Sequence, residues 1–168
     1  MERKTVYHVF EPVFNEASEV LILGTIPSPK SIENGFYYSH PQNRFWNTIS
    51  AIFSSPVPKT IDEKTELILN NKLALWDVLQ SCEIKGADDS SIKSEKPNDL
   101  DFVINQSKVK HIITTGKKSF SLYNKYCVKK TGIEAICLPS TSPANCAVSL
   151  EKLITEYSII PKLIKRDL

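Results

Sequence analysis

The chain has 168 residues, of which 41% are hydrophobic and 24% charged; these proportions exclude a disordered chain and fit one domain over residues 1–168. The opening sequence lacks the apolar stretch of a signal peptide, and no apolar run approaches the roughly 20 residues that span a bilayer. We therefore expect a cytoplasmic protein with no membrane partner. The net charge of +2 permits nucleic-acid binding but does not by itself indicate it.

Four short apolar runs predict β-strands. None alternates strictly between apolar and polar residues, so each strand is expected to be covered on both faces. The predicted strands are Val20–Leu23, Leu73–Trp76, His111–Thr114 and Ile133–Leu138.

Helical patterns lie between these strands. The first helix is predicted to start at Ser39 with Pro41, before the apolar stripe Phe45–Phe53. The second is predicted to start at a capping box formed by Thr60 and Glu63. Three more are predicted to start at Pro97, Lys117 and Ser149. The helix from Lys117 is expected to reach Lys130. Strands alternating with helices predict an α/β fold with a parallel sheet, in which ligands bind beyond the carboxyl ends of the strands.

The four cysteines are predicted to be reduced and mostly structural. They stand at positions 82, 127, 137 and 146 without a CxxC pair, and this spacing matches no close-spaced metal motif. Cys137 lies in the apolar run IEAICLP and is expected to be a core thiol. We expect neither a metal nor a cofactor; the adjacent carboxylates Asp88 and Asp89 are typical of a solvated loop.

The first stretch with chemical potential is GTIPSPKSIENGFYYSHPQNRFW, residues Gly24–Trp46. A glycine after a buried strand permits a tight turn and close approach of a ligand, and Pro27 stiffens the loop that follows. Aromatic side chains in a rigid loop can stack on a planar base. On composition alone, a mobile loop whose aromatics cover the core fits equally well.

The second stretch is LPSTSPAN, residues Leu138–Asn145. It is uncharged and rich in hydroxyls and proline, so its N–H and hydroxyl groups could hold phosphates without arginine. The alternative is a simple strand-to-helix turn with a Ser or Thr cap.

These motifs resemble a known superfamily. The segment FYYSHPQNRFW is similar to the HPxNRFW stretch of the mismatch-specific uracil/thymine-DNA glycosylases. Together with GTIPSPKS, ALWDVLQSCEIKGADDS and LPSTSPAN, it most resembles the hypoxanthine-DNA glycosylase branch of the uracil-DNA glycosylase superfamily. The resemblance extends from about Val20 to Tyr157.

The resemblance implies a three-layer α/β/α sandwich with a central four-stranded parallel sheet. It implies a monofunctional enzyme that hydrolyses the N-glycosidic bond of a deaminated base, hypoxanthine or uracil, flipped out of DNA. The partner would be DNA with a deaminated or mismatched base, bound by a monomer near the nucleoid. The loop after the first strand would hold the base, and that after the fourth would press on the DNA backbone.

One position departs from the superfamily pattern. Many members carry Asp or Asn two residues after the first glycine, where it positions water, but this chain has Ile26 there. In the hypoxanthine branch an asparagine in the HPxN stretch takes that role, so the resemblance makes Asn43 the candidate catalytic residue; a structural hydrogen bond at a helix start is the alternative.

The other site residues follow from the same resemblance. Tyr38 matches the base-stacking aromatic, while Phe36 and Tyr37 either share that role or belong to the core. The candidates for binding the base are Gly24, Thr25, Ile26, Pro27, Ser28 and His40. The candidates for contacting DNA are Ser140, Thr141, Ser142, Pro143 and Asn145. His40 could instead be structural. Asp77 is expected to act as a helix cap or sheet end, and a lyase reaction would need Lys30 as the amine.

Two other functions stay open on the sequence. A relative that binds damaged DNA without chemistry is suggested by Ile26. A flavodoxin-like binder of small molecules is allowed because one fold serves many ligands.

Overall fold

A parallel four-stranded sheet forms the centre of the molecule in a computed structural model that describes residues 2–165. Its strands are β2 (Val20–Gly24), β3 (Leu73–Asp77), β6 (His111–Thr115) and β7 (Ala135–Leu138). They lie in the order β3-β2-β6-β7, and every pair is parallel. The predicted parallel sheet is therefore confirmed.

Strand β2 shows why these runs do not alternate in polarity. All five of its residues are buried. Val20 and Ile22 enter the core on one face of the sheet, and Leu21 and Leu23 enter the core on the other. A strand covered on both faces needs apolar side chains at every position.

Helices cover both faces of this sheet. Their bounds are α1 (Pro29–Asn34), α2 (Phe45–Ile52), α3 (Ile61–Asn70), α4 (Asp101–Ile104), α5 (Lys117–Tyr126), α6 (Val128–Thr131), α7 (Leu150–Tyr157) and α8 (Ile159–Leu163). Helices α2, α3, α7 and α8 contribute buried side chains to one core, and α4 and α5 contribute to the other. This arrangement confirms the three-layer sandwich.

A second, antiparallel sheet was not predicted from the sequence. It consists of β1 (Arg3–Tyr7), β4 (Leu79–Lys85) and β5 (Asp88–Pro97) in the order β1-β4-β5. Gly86 and Ala87 form the two-residue turn between β4 and β5, and Gly86 has a positive φ of 57°, as such turns require. Ile84 and Ile92 pack this sheet against the core that contains α5.

Several sequence predictions are wrong in detail. Asp88 and Asp89, expected in a solvated loop, begin strand β5, and Pro97 ends β5 instead of opening a helix. Cys137 is exposed because β7 is the edge strand of its sheet, so it is not a core thiol.

Three predicted boundaries also differ. Strand β7 begins at Ala135 and not at Ile133, and α2 begins at Phe45 and not near Ser39. The helix predicted from Lys117 to Lys130 divides into α5 and α6 at Cys127. In contrast, the capping box of Thr60 and Glu63 is confirmed at α3, and Ser149 caps α7. Over residues 2–165, none of the helices has the length and apolar character needed to cross a membrane.

Candidate active site

A cavity of about 900 Å³ lies at the carboxyl edge of the parallel sheet. Its walls are the ends of all four strands, the loops that follow them and the turn of the β4–β5 hairpin. Most of the predicted site residues line it: Gly24, Thr25, Ile26, Pro27, Ser28, Tyr38, Asn43, Ser140, Thr141, Ser142 and Asn145. Two predicted residues, His40 and Pro143, are not part of the lining formed by residues 2–165.

Gly24 forms part of the cavity wall, where a side chain would not fit. A Cβ atom on this residue would lie 2.5 Å from Oδ1 of Asp77 and 3.0 Å from the hydroxyl oxygen of Tyr38. The glycine is therefore required by the close approach of these two side chains.

The loop after Gly24 is held by hydrogen bonds that use its polar groups. The Thr25 carbonyl accepts the Leu79 N–H at 3.1 Å, and the Ser28 hydroxyl accepts the Ser31 N–H at 3.1 Å, which caps α1. Ile26 packs against the core beside α5. The loop thus places an apolar side chain at position 26.

Tyr38 is stacked within the cavity wall. Its ring lies on the Phe45 ring with centroids 3.9 Å apart and planes 17° from parallel. Burial, and secondly the nearby Asp77 carboxylate, raise the pKa of the Tyr38 hydroxyl. Phe36 and Tyr37 are buried in the core, which settles their location.

Asn43 is fixed by its side-chain oxygen. Oδ1 accepts the Phe45 N–H at 2.9 Å and the Thr141 hydroxyl at 2.8 Å. A backbone N–H can only donate, so the atom facing Phe45 must be the amide oxygen. The two bonds occupy both lone pairs of Oδ1, whereas Nδ2 donates to no other residue between 2 and 165.

His40 takes a local structural role. Its Nδ1 accepts the Gln42 N–H at 3.0 Å, and its carbonyl accepts the Asn43 N–H at 2.9 Å. These bonds shape the turn that leads into α2. His40 lies outside the cavity lining formed by residues 2–165. This position does not support the expectation that its side chain reaches the base.

The loop after β7 forms a second wall, which we call the hydroxyl side (Ser140, Thr141 and Ser142). The Ser140 hydroxyl accepts the Ser142 N–H at 3.1 Å, and the Ser142 hydroxyl accepts the Ala144 N–H at 3.2 Å. Ser142 thereby caps the 3-10 helix Pro143–Asn145. The Ser142 carbonyl accepts a hydrogen bond from the Arg44 guanidinium at 3.4 Å. No sequence pattern indicated this role of Arg44.

Asp77 and His8 form a buried pair at the cavity. Asp77 ends β3, and its Oδ2 accepts a hydrogen bond from Nε2 of His8 at 2.7 Å. Asp77 lines the cavity, and its Oδ1 has no hydrogen-bond partner within residues 2–165. The predicted sheet-end position of Asp77 is correct, but no sequence signal indicated His8, which lies 69 positions away.

Two further carboxylates come from the hairpin turn and, with Asp77, make up the acidic side (Asp77, Asp88 and Asp89). Both line the cavity. Hydrogen bonds from Ser90 lower the pKa of the exposed Asp88 carboxyl. No group of three metal-ligating side chains occurs in the part of the chain between residues 2 and 165.

The lysine at the cavity is not the one considered from the sequence. Lys30 pairs with Glu33 at 3.4 Å on α1 and lies outside the cavity lining of the described chain. Lys117, the first residue of α5, contributes to the lining instead. A basic group therefore borders the cavity next to the hydroxyl side.

The fold and this cavity define a class of protein that comparison with known families identifies. The family model described as the uracil DNA glycosylase superfamily matches residues 11–157. The chain belongs to this superfamily and is a DNA glycosylase.

Its relatives narrow the assignment. The chain is 33% identical over 138 residues to hypoxanthine DNA glycosylases from Methanosarcina barkeri and Methanosarcina acetivorans, over 81% of this chain and 86% of each relative. A solution NMR structure of a candidate uracil DNA glycosylase from Methanosarcina acetivorans matches with a TM-score of 0.81 and 28% identity. That match covers 95% of this chain and 99% of the other.

Proposed function

We propose that this DNA glycosylase releases hypoxanthine from DNA by hydrolysing its N-glycosidic bond, with Asn43 as the catalytic residue. The observation that carries the proposal is the fixed Asn43 amide at the cavity: Oδ1 is held by Phe45 and Thr141, so Nδ2 remains for a ligand. The two hypoxanthine DNA glycosylases that are 33% identical support the choice of base.

The chemistry must suit a group that cannot take a proton. An amide is a very weak base, and both lone pairs of Oδ1 are already engaged. Bond breaking therefore runs ahead of water attack, leaving an anionic base and a sugar with developing positive charge. The Nδ2 hydrogens can hold water or the departing base in place, and such fixed dipoles act strongly in a site that excludes bulk water.

Asp77 gives a chemical reason for selecting deaminated bases. Deamination of adenine turns the acceptor N1 into an N–H donor. A carboxylate oxygen accepts such a donor and repels a ring nitrogen that carries a lone pair. Asp77 lines the cavity with an Oδ1 that accepts no hydrogen bond from residues 2–165, so this carboxylate is suited to hypoxanthine rather than adenine.

Tyr38 supports the same geometry. One face of its ring is covered by Phe45, which leaves the other face for a planar base. Stacking of this kind contributes roughly 1–3 kcal/mol per base. The Ser140–Asn145 segment, with its hydroxyls and exposed Ala144, would contact the DNA backbone and the gap left by the flipped base.

The test is single-turnover excision from duplexes that each carry one inosine, uracil, xanthine or adenine. We expect Asn43→Ala to slow inosine excision about 10²–10³-fold, as for loss of one fixed catalytic dipole. Asn47→Ala, the same change at an exposed position of α2, is the matched control and should leave the rate unchanged. An Asn43→Ala enzyme that excises at the parent rate would remove Asn43 from the mechanism.

Asn43→Asp tests which atom matters. Aspartate keeps an acceptor for Phe45 and Thr141 but loses the Nδ2 hydrogens, so we expect a loss similar to that of Asn43→Ala. A gain in rate would instead mean that the side chain acts as a general base. If the parent protein binds inosine duplex tightly but yields no abasic sites, it is a DNA-binding relative without chemistry.

We further infer that one copy of the chain suffices. The proposal is supported by the fact that one chain supplies every group assigned above. The expected outcome is a monomer in sedimentation at assay concentrations, with excision proportional to enzyme concentration.

A further inference from the structure

Arg44 makes an unusual set of contacts beneath the loop after β7. Its guanidinium donates to the carbonyls of Val148, Ser142 at 3.4 Å and Asn145 at 3.0 Å. Its backbone N–H donates to the Thr141 carbonyl at 3.1 Å. One residue therefore binds four carbonyl groups of a segment about 100 positions further along the chain.

These contacts explain why the residue is arginine. Three carbonyl oxygens in one place require several donors in a fixed, spread arrangement, which the planar guanidinium supplies and a lysine ammonium does not. The bonds also neutralise carbonyl oxygens that would repel an approaching phosphate. No ion pair joins Arg44 to an acidic residue within residues 2–165, so its positive charge is not cancelled locally.

The same residue is chemically joined to the catalytic amide. Arg44 directly follows Asn43, and the Thr141 hydroxyl donates to Oδ1 of Asn43 at 2.8 Å. Thr141 is buried, so this bond is shielded from solvent. The hydroxyl side and Asn43 are thus connected through the side chain and the carbonyl of a single threonine.

We propose that Arg44 is a positioning residue: it holds the segment Ser140–Val148, and Thr141 in this segment holds Asn43. DNA bound by the segment thereby fixes the position of the catalytic amide. The inference rests on the proposed function, because it concerns the geometry of the same reaction. Arg44 contacts neither the base nor the sugar. It acts by keeping the loop and Thr141 in register with Asn43.

The test compares Arg44→Lys, Thr141→Val and the double variant in single-turnover excision of inosine at saturating enzyme. We expect each single variant to lose about 10- to 100-fold in rate, because small displacements of a positioned group have effects of this size. The double variant should lose no more rate than the less active of the two single variants, since both changes break the same connection. The dissociation constant for the same duplex should rise less than the rate falls.

Arg3→Lys is the matched control, because Arg3 also donates to a backbone carbonyl, that of Ser91, away from this loop. It should retain the parent rate. Single variants that excise within about twofold of the parent, or losses that multiply in the double variant, overturn the inference. If Arg44→Lys does not fold, Arg44→Gln, which retains an N–H donor for these carbonyls, takes its place in the same comparison. A parent protein that excises no base would instead contradict the proposed function.

Discussion

The two walls of the cavity differ in both charge and construction. The hydroxyl side is neutral and is formed by one continuous segment, with Lys117 beside it. The acidic side carries three carboxylates, from the end of β3 and from the hairpin turn. Phosphates are repelled by carboxylates and attracted by lysine, so a DNA backbone would approach over the hydroxyl side.

The walls also differ in what holds them. The hydroxyl side is secured by Arg44 and by caps within its own loop. On the acidic side, Asp77 is held by His8, which lies outside residues 11–157 matched by the family model. We conclude that the hydroxyl side is held by several hydrogen bonds, some within its own loop and others from Arg44, whereas Asp77 on the acidic side is held by one side-chain hydrogen bond, from His8.

The largest expected effect comes from removing that bond. His8→Phe leaves the buried Asp77 carboxylate without its donor, so we expect the free energy of unfolding to fall by about 3 kcal/mol. His8→Gln retains an N–H donor and should cost about 1 kcal/mol. Both values follow from urea unfolding monitored by circular dichroism.

His111→Phe is the control, since it makes the same change at the amino end of β6. Equal stability of His8→Phe and the parent protein would mean that Asp77 does not need His8. The position of Asp77 would then depend on β3 and not on the amino-terminal segment.

A smaller effect is expected from neutralising Asp77. Asp77→Asn keeps an oxygen acceptor but loses its charge, and charge-assisted hydrogen bonds are roughly twice as strong as neutral ones. We expect kcat/KM for inosine to fall about tenfold. The ratio of inosine to adenine excision should also narrow, because an asparagine amide can turn its N–H₂ toward the adenine N1.

Asp88→Asn provides the comparison, since it removes the same charge from the hairpin turn, where the Asp88 side chain accepts hydrogen bonds from Ser90. It should alter kcat/KM by less than about twofold. Equal losses in the two variants would show that general charge, and not recognition of the base by Asp77, governs the acidic side.

The contrast between the walls also explains what the sequence could predict. The loop Gly24–Ser28 follows β2, whose five residues are all buried, and the hydroxyl side follows the apolar run of β7. Both loops could be located because an uninterrupted apolar run comes directly before them. Strand β5, in contrast, reads DDSSIKSEKP, and only Ile92 is buried among its exposed and half-buried residues. Such a strand carries no periodic signal.

The His8–Asp77 bond was beyond prediction for another reason. His8 directly follows β1, the edge strand of the antiparallel sheet, and Asp77 ends β3 of the parallel sheet. No local sequence pattern indicates that these two residues pair. The prediction that Cys137 is a core thiol failed because an apolar run predicts a strand but not whether that strand lies at the sheet edge. Position within a sheet depends on topology, which is not encoded in a local pattern.

The cysteines offer the smallest perturbation that compares the two walls. Cys137 lines the cavity close to the hydroxyl side and is exposed, as is Cys146. Cys82, on β4 behind the acidic side, and Cys127 are buried, and burial raises the pKa of each thiol to about 11. A thiol reagent reacts with the thiolate, so at pH 8 we expect two thiols to react in the folded protein and four after unfolding.

The same reaction shows whether DNA occupies the cavity. In a Cys146→Ser protein, Cys137 is the exposed thiol that remains, and a saturating inosine duplex should slow its labelling because the bound strand covers the cavity rim. Cys137→Ser leaves Cys146, which lies in the segment Ser140–Val148, and its labelling should also be slowed by the duplex. Labelling of Cys137 at the same rate with and without DNA would mean that the backbone does not cross the hydroxyl side, whatever the cavity binds.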